Sequence, residues 1–210
     1  MVVTMKRKGR LITFEGSEGS GKSTQMALLY QYLLAKKKDV LTIREPGGVD
    51  ISEAIRKILL DVKNAHMSRL CETLLYMAAR AQLVEQKIYP ALKKGTIVLC
   101  DRFLDSTVVY QGYASGISLE FINAVGEIVT QRLVPDVTFL FDLPVQQGLA
   151  RRGKIKDRIE LKSLNYHQKV RQGYLTLAKE EPHRIKVVKA DRSSQEISRE
   201  VCTYVDQVLK

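Results

Sequence analysis

A glycine-rich turn between a predicted strand and a predicted helix constrains this 210-residue chain more than any other feature. Residues 16–23 read GSEGSGKS and satisfy the pattern GxxxxGK(S/T) at every position. Residues 10–15 precede the turn as a buried strand, and residues 22–37 follow it with apolar side chains at helical spacing. Glycines let consecutive backbone N–H groups converge on phosphate oxygens, and the helix start adds a partial positive charge. The segment therefore predicts a binding site for a nucleoside triphosphate.

Two side chains of this turn carry specific predictions. The Lys22 ammonium can reach the β- and γ-phosphates of a bound nucleotide, and the Ser23 hydroxyl is a ligand for Mg²⁺. We therefore predict Mg²⁺ as the cofactor and ATP as the phosphoryl donor. The predicted ATP-binding residues are Gly16, Ser17, Glu18, Gly19, Ser20, Gly21, Lys22, Ser23 and Thr24.

Strands and helices alternate along the chain. Apolar, β-rich runs predict strands at 10–15, 39–44, 96–100, 136–143 and 185–189. Helical patterns predict helices at 22–37, 52–60, 68–92, 119–133, 145–152, 161–179 and 194–209. This alternation predicts an α/β fold of the P-loop NTPase type, a five-stranded parallel sheet covered by helices on both faces. We expect a single domain over residues 1–210, with ligands at the carboxyl ends of the strands.

The net charge of the chain excludes few classes of binding partner. Lys and Arg outnumber Asp and Glu by 34 to 23, a formal net charge of +11. Such a surplus fits nucleic acid, an acidic membrane surface or small polyanionic ligands. The chain has no Trp and its arginines cluster with the motif loops, so we favour small nucleotides over nucleic acid. No apolar run approaches the roughly 20 residues that span a bilayer. Without a recognisable secretory signal, and with three cysteines that we expect to be reduced and mostly buried, we predict a cytoplasmic protein without a membrane partner.

Six segments together resemble the thymidylate kinases over nearly the whole chain. They are FEGSEGSGKST at 14–24, REPGG at 44–48, LLYMAAR at 74–80, CDRFLDSTVVYQG at 100–112, PDVTFLFDLP at 135–144 and DRIE at 157–160. The resemblance implies transfer of the γ-phosphoryl group of ATP to dTMP, giving dTDP and ADP for dTTP synthesis, by a homodimer. Two alternatives remain at this stage. One is a related P-loop kinase for another deoxynucleotide or deoxynucleoside, for example dUMP, and the other is a nucleotide-dependent nucleic-acid binder.

The resemblance also implies how the acceptor is held. Tyr76 and Arg80 lie four residues apart on one helix face. This spacing alone favours a core tyrosine and a surface arginine. The family, in contrast, stacks thymine on the aromatic ring and contacts the thymine O4 through the arginine. Arg102 would clamp the acceptor phosphate, and Asp101 would join the magnesium shell through water. Glu18 would accept a hydrogen bond from the 3′-hydroxyl. The remaining substrate-binding residues implied in this way are Arg44, Arg56, Ser106, Thr107, Tyr110 and Gln111, of which Tyr110 would crowd the 2′ position of the sugar.

A basic stretch at about 150–160 is predicted to be a lid over ATP. Thymidylate kinases place a catalytic arginine either in the phosphate loop or in this lid. Here the phosphate-loop position is Gly19 and the lid contains arginines, so the chain is similar to the second, bacterial-type design. Arg151, Arg152 and Arg158 are the candidates for contact with the transferring phosphoryl group, and we favour Arg152. The predicted catalytic residues are Lys22, Arg102, Arg152 and Glu18.

Overall fold

The computed structural model describes residues 7–151 and 157–210, and in them five parallel strands form one sheet. The strands are β1 (Leu11–Glu15), β2 (Val40–Arg44), β3 (Ile97–Asp101), β4 (Val137–Asp142) and β5 (Ile185–Lys189). Their order in the sheet is β2-β3-β1-β4-β5, with the phosphate-loop strand β1 at the centre. Phe14 pairs with Asp101 and Asp101 with Arg44, so the carboxyl ends of these three strands meet at one edge.

Helices connect successive strands and cover both faces of the sheet. They are α1 (Lys22–Ala35), α2 (Asp50–Leu60), α3 (Arg69–Leu83), α4 (Tyr89–Lys94), α5 (Leu104–Thr107), α6 (Leu119–Val129), α7 (Val145–Ala150), α8 (Leu164–Glu180) and α9 (Ser194–Val208). A 3₁₀ turn covers Val62–Asn64, and π-helical turns cover Val84–Ile88 and Val108–Tyr113. Among the described residues, no helix is long and apolar enough to cross a membrane.

The two faces of the sheet bury different apolar clusters, because side chains alternate along each strand. Phe14 and Phe139 point towards a cluster that includes Leu29 of α1 and Val201 of α9. On the opposite face, Leu11 and its neighbours pack against α3, α4 and the π-helical turn between them. Fully burying one such side chain stabilises the fold by roughly 1.5–3 kcal/mol, so the central strands are anchored from both sides.

The predicted fold class is confirmed, and the differences concern element ends and one missed segment. The helix predicted at 68–92 is α3, a π-helical turn and α4 in succession. The helical turns over 104–113 were not predicted, because polar and β-branched residues such as Ser106, Thr107 and Val108 obscure a helical pattern. The expectation of mostly buried thiols is wrong for Cys71, which is exposed; Cys100 is buried and Cys202 half-buried.

Candidate active site

A cavity of about 590 Å³ opens at the carboxyl edge of the sheet, where parallel α/β sheets bind their ligands. Its volume lies within the range of sites that bind nucleotide-sized ligands. The phosphate loop forms one wall, the ends of β2 and β3 form the floor, and α2, α3 and the helical turns after β3 form the other walls. The phosphate loop and the side chains of α2 and α3 therefore border one continuous space.

The phosphate loop holds Lys22 in a buried position at the start of α1. Its ammonium donates to the carbonyl oxygens of Ser17 at 2.9 Å and Gly16 at 3.1 Å. Burial, followed by the nearby Arg102 guanidinium, lowers the pKa of Lys22 to about 8. A polyphosphate placed against the loop would supply the negative charge that favours the ammonium form.

Gly19 lies directly against the backbone of α7. A Cβ atom at Gly19, whose φ is +70°, would lie 2.0 Å from the carbonyl oxygen of Gly148, and a Cβ at Gly148 would lie 2.3 Å from that of Glu18. Both distances are far below van der Waals contact, so only glycine fits at either position without movement. The contact therefore leaves no room for a larger side chain at position 19.

Ser23 and Asp101 meet at the mouth of the phosphate loop. The Ser23 hydroxyl donates to an Asp101 carboxylate oxygen at 2.9 Å, which brings two oxygen ligands together. Magnesium favours such oxygen ligands and completes its shell with water and substrate phosphates. Within the described part of the chain, no group of three or more His, Cys, Asp and Glu residues forms a separate metal site. The donor set therefore fits a nucleotide-bound Mg²⁺.

Arg102 lies between the phosphate loop and the rest of the cavity. It follows β3 with a φ of +71°, a left-handed conformation that is uncommon for arginine. One guanidinium nitrogen, Nη2, donates to Glu18 at 2.7 Å, and Nη1 donates to the carbonyl of Gly16 at 3.1 Å. The guanidinium also stacks over the Tyr110 ring at 5.1 Å, and the Tyr110 hydroxyl donates to Glu18 at 3.0 Å. Arg102, Glu18 and Tyr110 thus form one connected group.

Arg80 forms the inner end of the cavity and is only 2% exposed. Its Nε donates to the buried Glu45 carboxylate at 2.7 Å, and its Nη1 donates to the Thr107 hydroxyl at 2.9 Å. Its Nη2 donates to the carbonyl of Phe103 at 3.0 Å. These contacts fix the guanidinium plane, and the surface arginine that spacing alone favours is wrong, because Arg80 is buried.

Glu72, one helical turn before Tyr76 on α3, contacts both Gln111 and Arg158. The Gln111 amide donates to one Glu72 oxygen at 2.9 Å, and Arg158 forms an ion pair with the other at 2.5 Å. Arg158 also donates to the carbonyl of Leu59 and is 4% exposed. Its side chain is therefore held by Glu72 and Leu59, and Arg158 does not line the cavity in this structure.

The other lid arginines occupy different positions relative to the described chain. Arg151 is exposed and lines the cavity. Arg152, the favoured catalytic candidate, lies outside the described residues, as do 153–156. On the far side of the cavity, Arg44 forms an exposed ion pair with Glu53, and Arg56 donates to the carbonyl of Pro46.

The structure gathers most of the predicted site residues around this single cavity. Gly16 and Ser17, the first two residues of the loop, do not line the cavity, and Arg152 is not described. Lining residues that received no predicted role are Glu45, Pro46, Leu60, Asp157, Ile159 and Glu160. The motifs REPGG and DRIE contain all of these except Leu60, so motif membership was the available signal.

A P-loop within a five-stranded parallel sheet, facing an arginine-bearing pocket of the same cavity, defines the class of P-loop nucleotide kinases. Residues 14–201 match the family model described as thymidylate kinase. The chain is 50% identical over 199 residues to the thymidylate kinase of Symbiobacterium thermophilum, covering 94% of this chain and 93% of that protein. It is 45% identical over 203 residues to that of Thermoanaerobacter pseudethanolicus, covering 96% and 100%.

A solved structure is similar as well. The crystal structure of thymidylate kinase from Ehrlichia chaffeensis superimposes with a TM-score of 0.76 at 33% identity, covering 94% of this chain and 98% of that one. The chain belongs to the thymidylate kinase family.

Proposed function

We propose that the cavity holds ATP and dTMP end to end, so that this thymidylate kinase transfers the γ-phosphoryl group to dTMP and releases dTDP and ADP. The observation that carries the proposal is the position of Arg102. Its guanidinium donates to the carbonyl of Gly16 in the phosphate loop and to the Glu18 carboxylate. Glu18 in turn accepts from Tyr110, across the cavity. An acceptor phosphate held there would face the γ-phosphate, and positioning of the two reactants supplies most of the catalysis in phosphoryl transfer.

On the donor side, the loop amides and Lys22 bind the triphosphate. Ser23 and, through water, Asp101 would hold Mg²⁺, which would supply positive charge to neutralise the β- and γ-phosphates. Lys22 keeps its charge next to the transferring group because the surrounding carbonyl oxygens and phosphates favour the ammonium. We also propose that Arg152 stabilises the transferring phosphoryl group when the lid covers ATP, and that lid closure excludes water.

On the acceptor side, Arg102 holds the phosphate and Glu18 accepts the hydrogen bond of the 3′-hydroxyl. Tyr76 stacks on thymine, and the buried Arg80 contacts its O4. The Tyr110 hydroxyl donates to Glu18, so the Tyr110 ring would crowd a ribose 2′-hydroxyl on a sugar held by Glu18. Around this core, Arg44, Arg56, Ser106, Thr107 and Gln111 complete the acceptor site, and residues 1–210 act as one kinase domain.

Kinases for other deoxynucleotides are the alternative, and the comparisons do not favour them, because each relative reported above is named a thymidylate kinase. A substrate panel tests this point. With Mg-ATP we expect dTMP to be the best acceptor among dTMP, dUMP, dCMP, dGMP and thymidine. A higher kcat/KM for any other member of the panel would contradict the proposed acceptor.

The role of Arg102 has a direct test. Arg102→Ala should lower kcat/KM for dTMP by about 10³-fold, by comparison with arginines that contact a transferring phosphoryl group. The control is Arg199→Ala, an exposed arginine of α9 on the outer surface, which should retain normal kinetics. If Arg102→Ala kept the wild-type value of kcat/KM, the assigned acceptor-phosphate site would be wrong.

We further propose that the chain forms a homodimer through α2 and α3, which pack side by side. Ile51 and Ile58 of α2 are 56% and 47% exposed, and Leu70 and Leu74 of α3 are 49% and 45% exposed. These side chains recur at helical spacing, which is typical of a face that packs against a partner. We also propose a cytoplasmic location, which the three free cysteines support because reducing compartments keep thiols unpaired.

A further inference from the structure

Beneath Arg102, three buried side chains form a hydrogen-bonded group, and the proposed mechanism assigns a function to only one of them, Ser106. Glu15 ends β1, is fully buried, and accepts at Oε1 from the backbone N–H of Phe103 at 2.7 Å. Its other oxygen, Oε2, lies 2.6 Å from the Ser106 hydroxyl and 2.7 Å from the Tyr174 hydroxyl. The two hydroxyl oxygens are 2.8 Å apart. Tyr174 comes from α8, far away in the chain, and is 3% exposed.

The number of protons in this group determines the direction of its hydrogen bonds. Each hydroxyl carries one proton, and an ionised carboxylate can only accept. With both hydroxyl protons donated to Glu15, the 2.8 Å contact between the two hydroxyl oxygens has no proton of its own, and the lone pairs of Ser106 and Tyr174 are left for another donor. That donor is Nη1 of Arg102, at 3.3 Å from Ser106 and 3.2 Å from Tyr174. Glu15 therefore orients the Ser106 and Tyr174 hydroxyls so that both of their oxygens can accept from Arg102. Glu15 itself makes no hydrogen bond to Arg102 in this arrangement.

We propose that Glu15 and Tyr174 are positioning residues that hold the Arg102 guanidinium in place to receive the acceptor phosphate. The left-handed backbone of Arg102 gives its side chain an unusual starting direction, so the head group needs support from several sides. Nη2 is directed by Glu18, whereas Nη1 is directed by Gly16, Ser106 and Tyr174. This inference rests on the proposed role of Arg102 and adds the residues that determine its orientation.

The charges around Glu15 support a pH-dependent readout. Burial, with a further contribution from the Asp105 carboxylate of α5, raises the pKa of Glu15 to about 7, while Arg102 and the hydroxyls of Ser106 and Tyr174 oppose the rise. Asp105 is paired with Arg184, and Lys22 faces Glu15 from α1. A protonated Glu15 would carry a donor where the hydroxyls need an acceptor, and so at least one hydroxyl would turn away from its present arrangement.

Tyr174→Phe tests the proposal with the loss of a single oxygen atom. We expect KM for dTMP to rise about tenfold, as expected for one hydrogen bond to a charged group, while KM for ATP stays within about twofold. The matched control is Tyr32→Phe, which removes a hydroxyl that also donates to a carboxylate at 2.7 Å, that of Asp206, on the outside of the fold. An unchanged KM for dTMP in Tyr174→Phe would overturn the proposal.

Glu15→Gln supplies a readout that a merely structural role would not move. In the wild type, kcat/KM for dTMP should fall as pH decreases below about 7, because Glu15 and the dTMP phosphate both take up protons. Protonation of the dTMP phosphate affects the wild type and the variant equally. The pH profile of Glu15→Gln should therefore lose only the part of the decrease in kcat/KM that comes from protonation of Glu15. Profiles of identical shape would contradict the inference.

Three outcomes separate this inference from the proposed site. If Arg102→Ala leaves kcat/KM for dTMP unchanged, the acceptor site itself is wrong. If Arg102→Ala is impaired and Tyr174→Phe is normal, only the positioning role fails. Thermal unfolding of each variant accompanies the kinetics, and a Tyr174→Phe enzyme whose KM for ATP rises as much as its KM for dTMP would indicate general disruption and overturn the specific role.

Discussion

Several of the charged side chains at this site are buried, and each is stabilised by particular partners. Arg80 and Glu45 are 2% and 5% exposed, respectively, and form an ion pair at 2.7 Å. Burial raises the pKa of Glu45, and the Arg80 charge opposes that rise. Because both groups have left water, removal of either partner leaves an uncompensated buried charge or polar group.

The buried pair makes the first prediction at this scale. Glu45→Ala should lower the free energy of unfolding by about 3–5 kcal/mol, measured by urea titration. Glu127→Ala is the control, because Glu127 pairs with Arg132 at 3.6 Å while both side chains are more than half exposed. Such an exposed pair should contribute about 1 kcal/mol or less. Equal losses in the two variants would show that burial does not determine the energy of these pairs.

Glu15 gives a second prediction at the residue scale, on stability against pH. Its pKa rises from 4.5 to about 7 on folding, so the folded state binds this proton more tightly than the unfolded chain. The contribution of Glu15 to stability is therefore most favourable below about pH 4.5 and decreases as pH rises to about 7. The difference in unfolding free energy between wild type and Glu15→Gln should fall across that window and level off above it. A difference independent of pH would contradict the raised pKa.

At the scale of elements, the important contact joins the phosphate loop to α7. Gly148→Ala would place a Cβ 2.3 Å from the carbonyl oxygen of Glu18, so the loop or the helix must move. We expect the variant to lose at least tenfold in kcat/KM for ATP, because displaced loop amides no longer converge on the phosphates. Gln147→Ala, at an exposed position of the same helix, is the control. Normal ATP kinetics in Gly148→Ala would show that the contact is easily relieved.

At the scale of the whole molecule, the proposed dimer leads to a further prediction. Leu74→Glu places a charge in the exposed apolar face of α2 and α3, so the mass measured by light scattering should fall from dimer to monomer. Leu34→Glu is the control, because Leu34 is 41% exposed on α1 and lies outside that face. A wild-type monomer, or a Leu74→Glu dimer, would contradict the proposed interface.

Much of this fold was predictable because its signals are local in the chain. The last strand, Ile185–Lys189, has the predicted ends. Each end of the other four strands either matches the prediction or differs from it by one residue. The segment 104–113 was missed because its helical turns are stabilised by burial against other elements and not by its own pattern. The predicted site residues came from motifs, and their assigned contacts stay predictions until the substrates are bound.

The order of residues alone determined that a phosphate loop follows a buried strand and that arginines lie at the ends of later strands, since backbone periodicity and glycine content are properties of short segments. Only the tertiary structure decided which partner each arginine contacts. Arg158 is buried against Glu72, Arg80 is held by Glu45, and Arg102 rests on Glu15 through Tyr174. The partners in these interactions are between 35 and 159 residues apart, so no local pattern can encode them. In the folded chain, burial and charge determine which partner each arginine contacts.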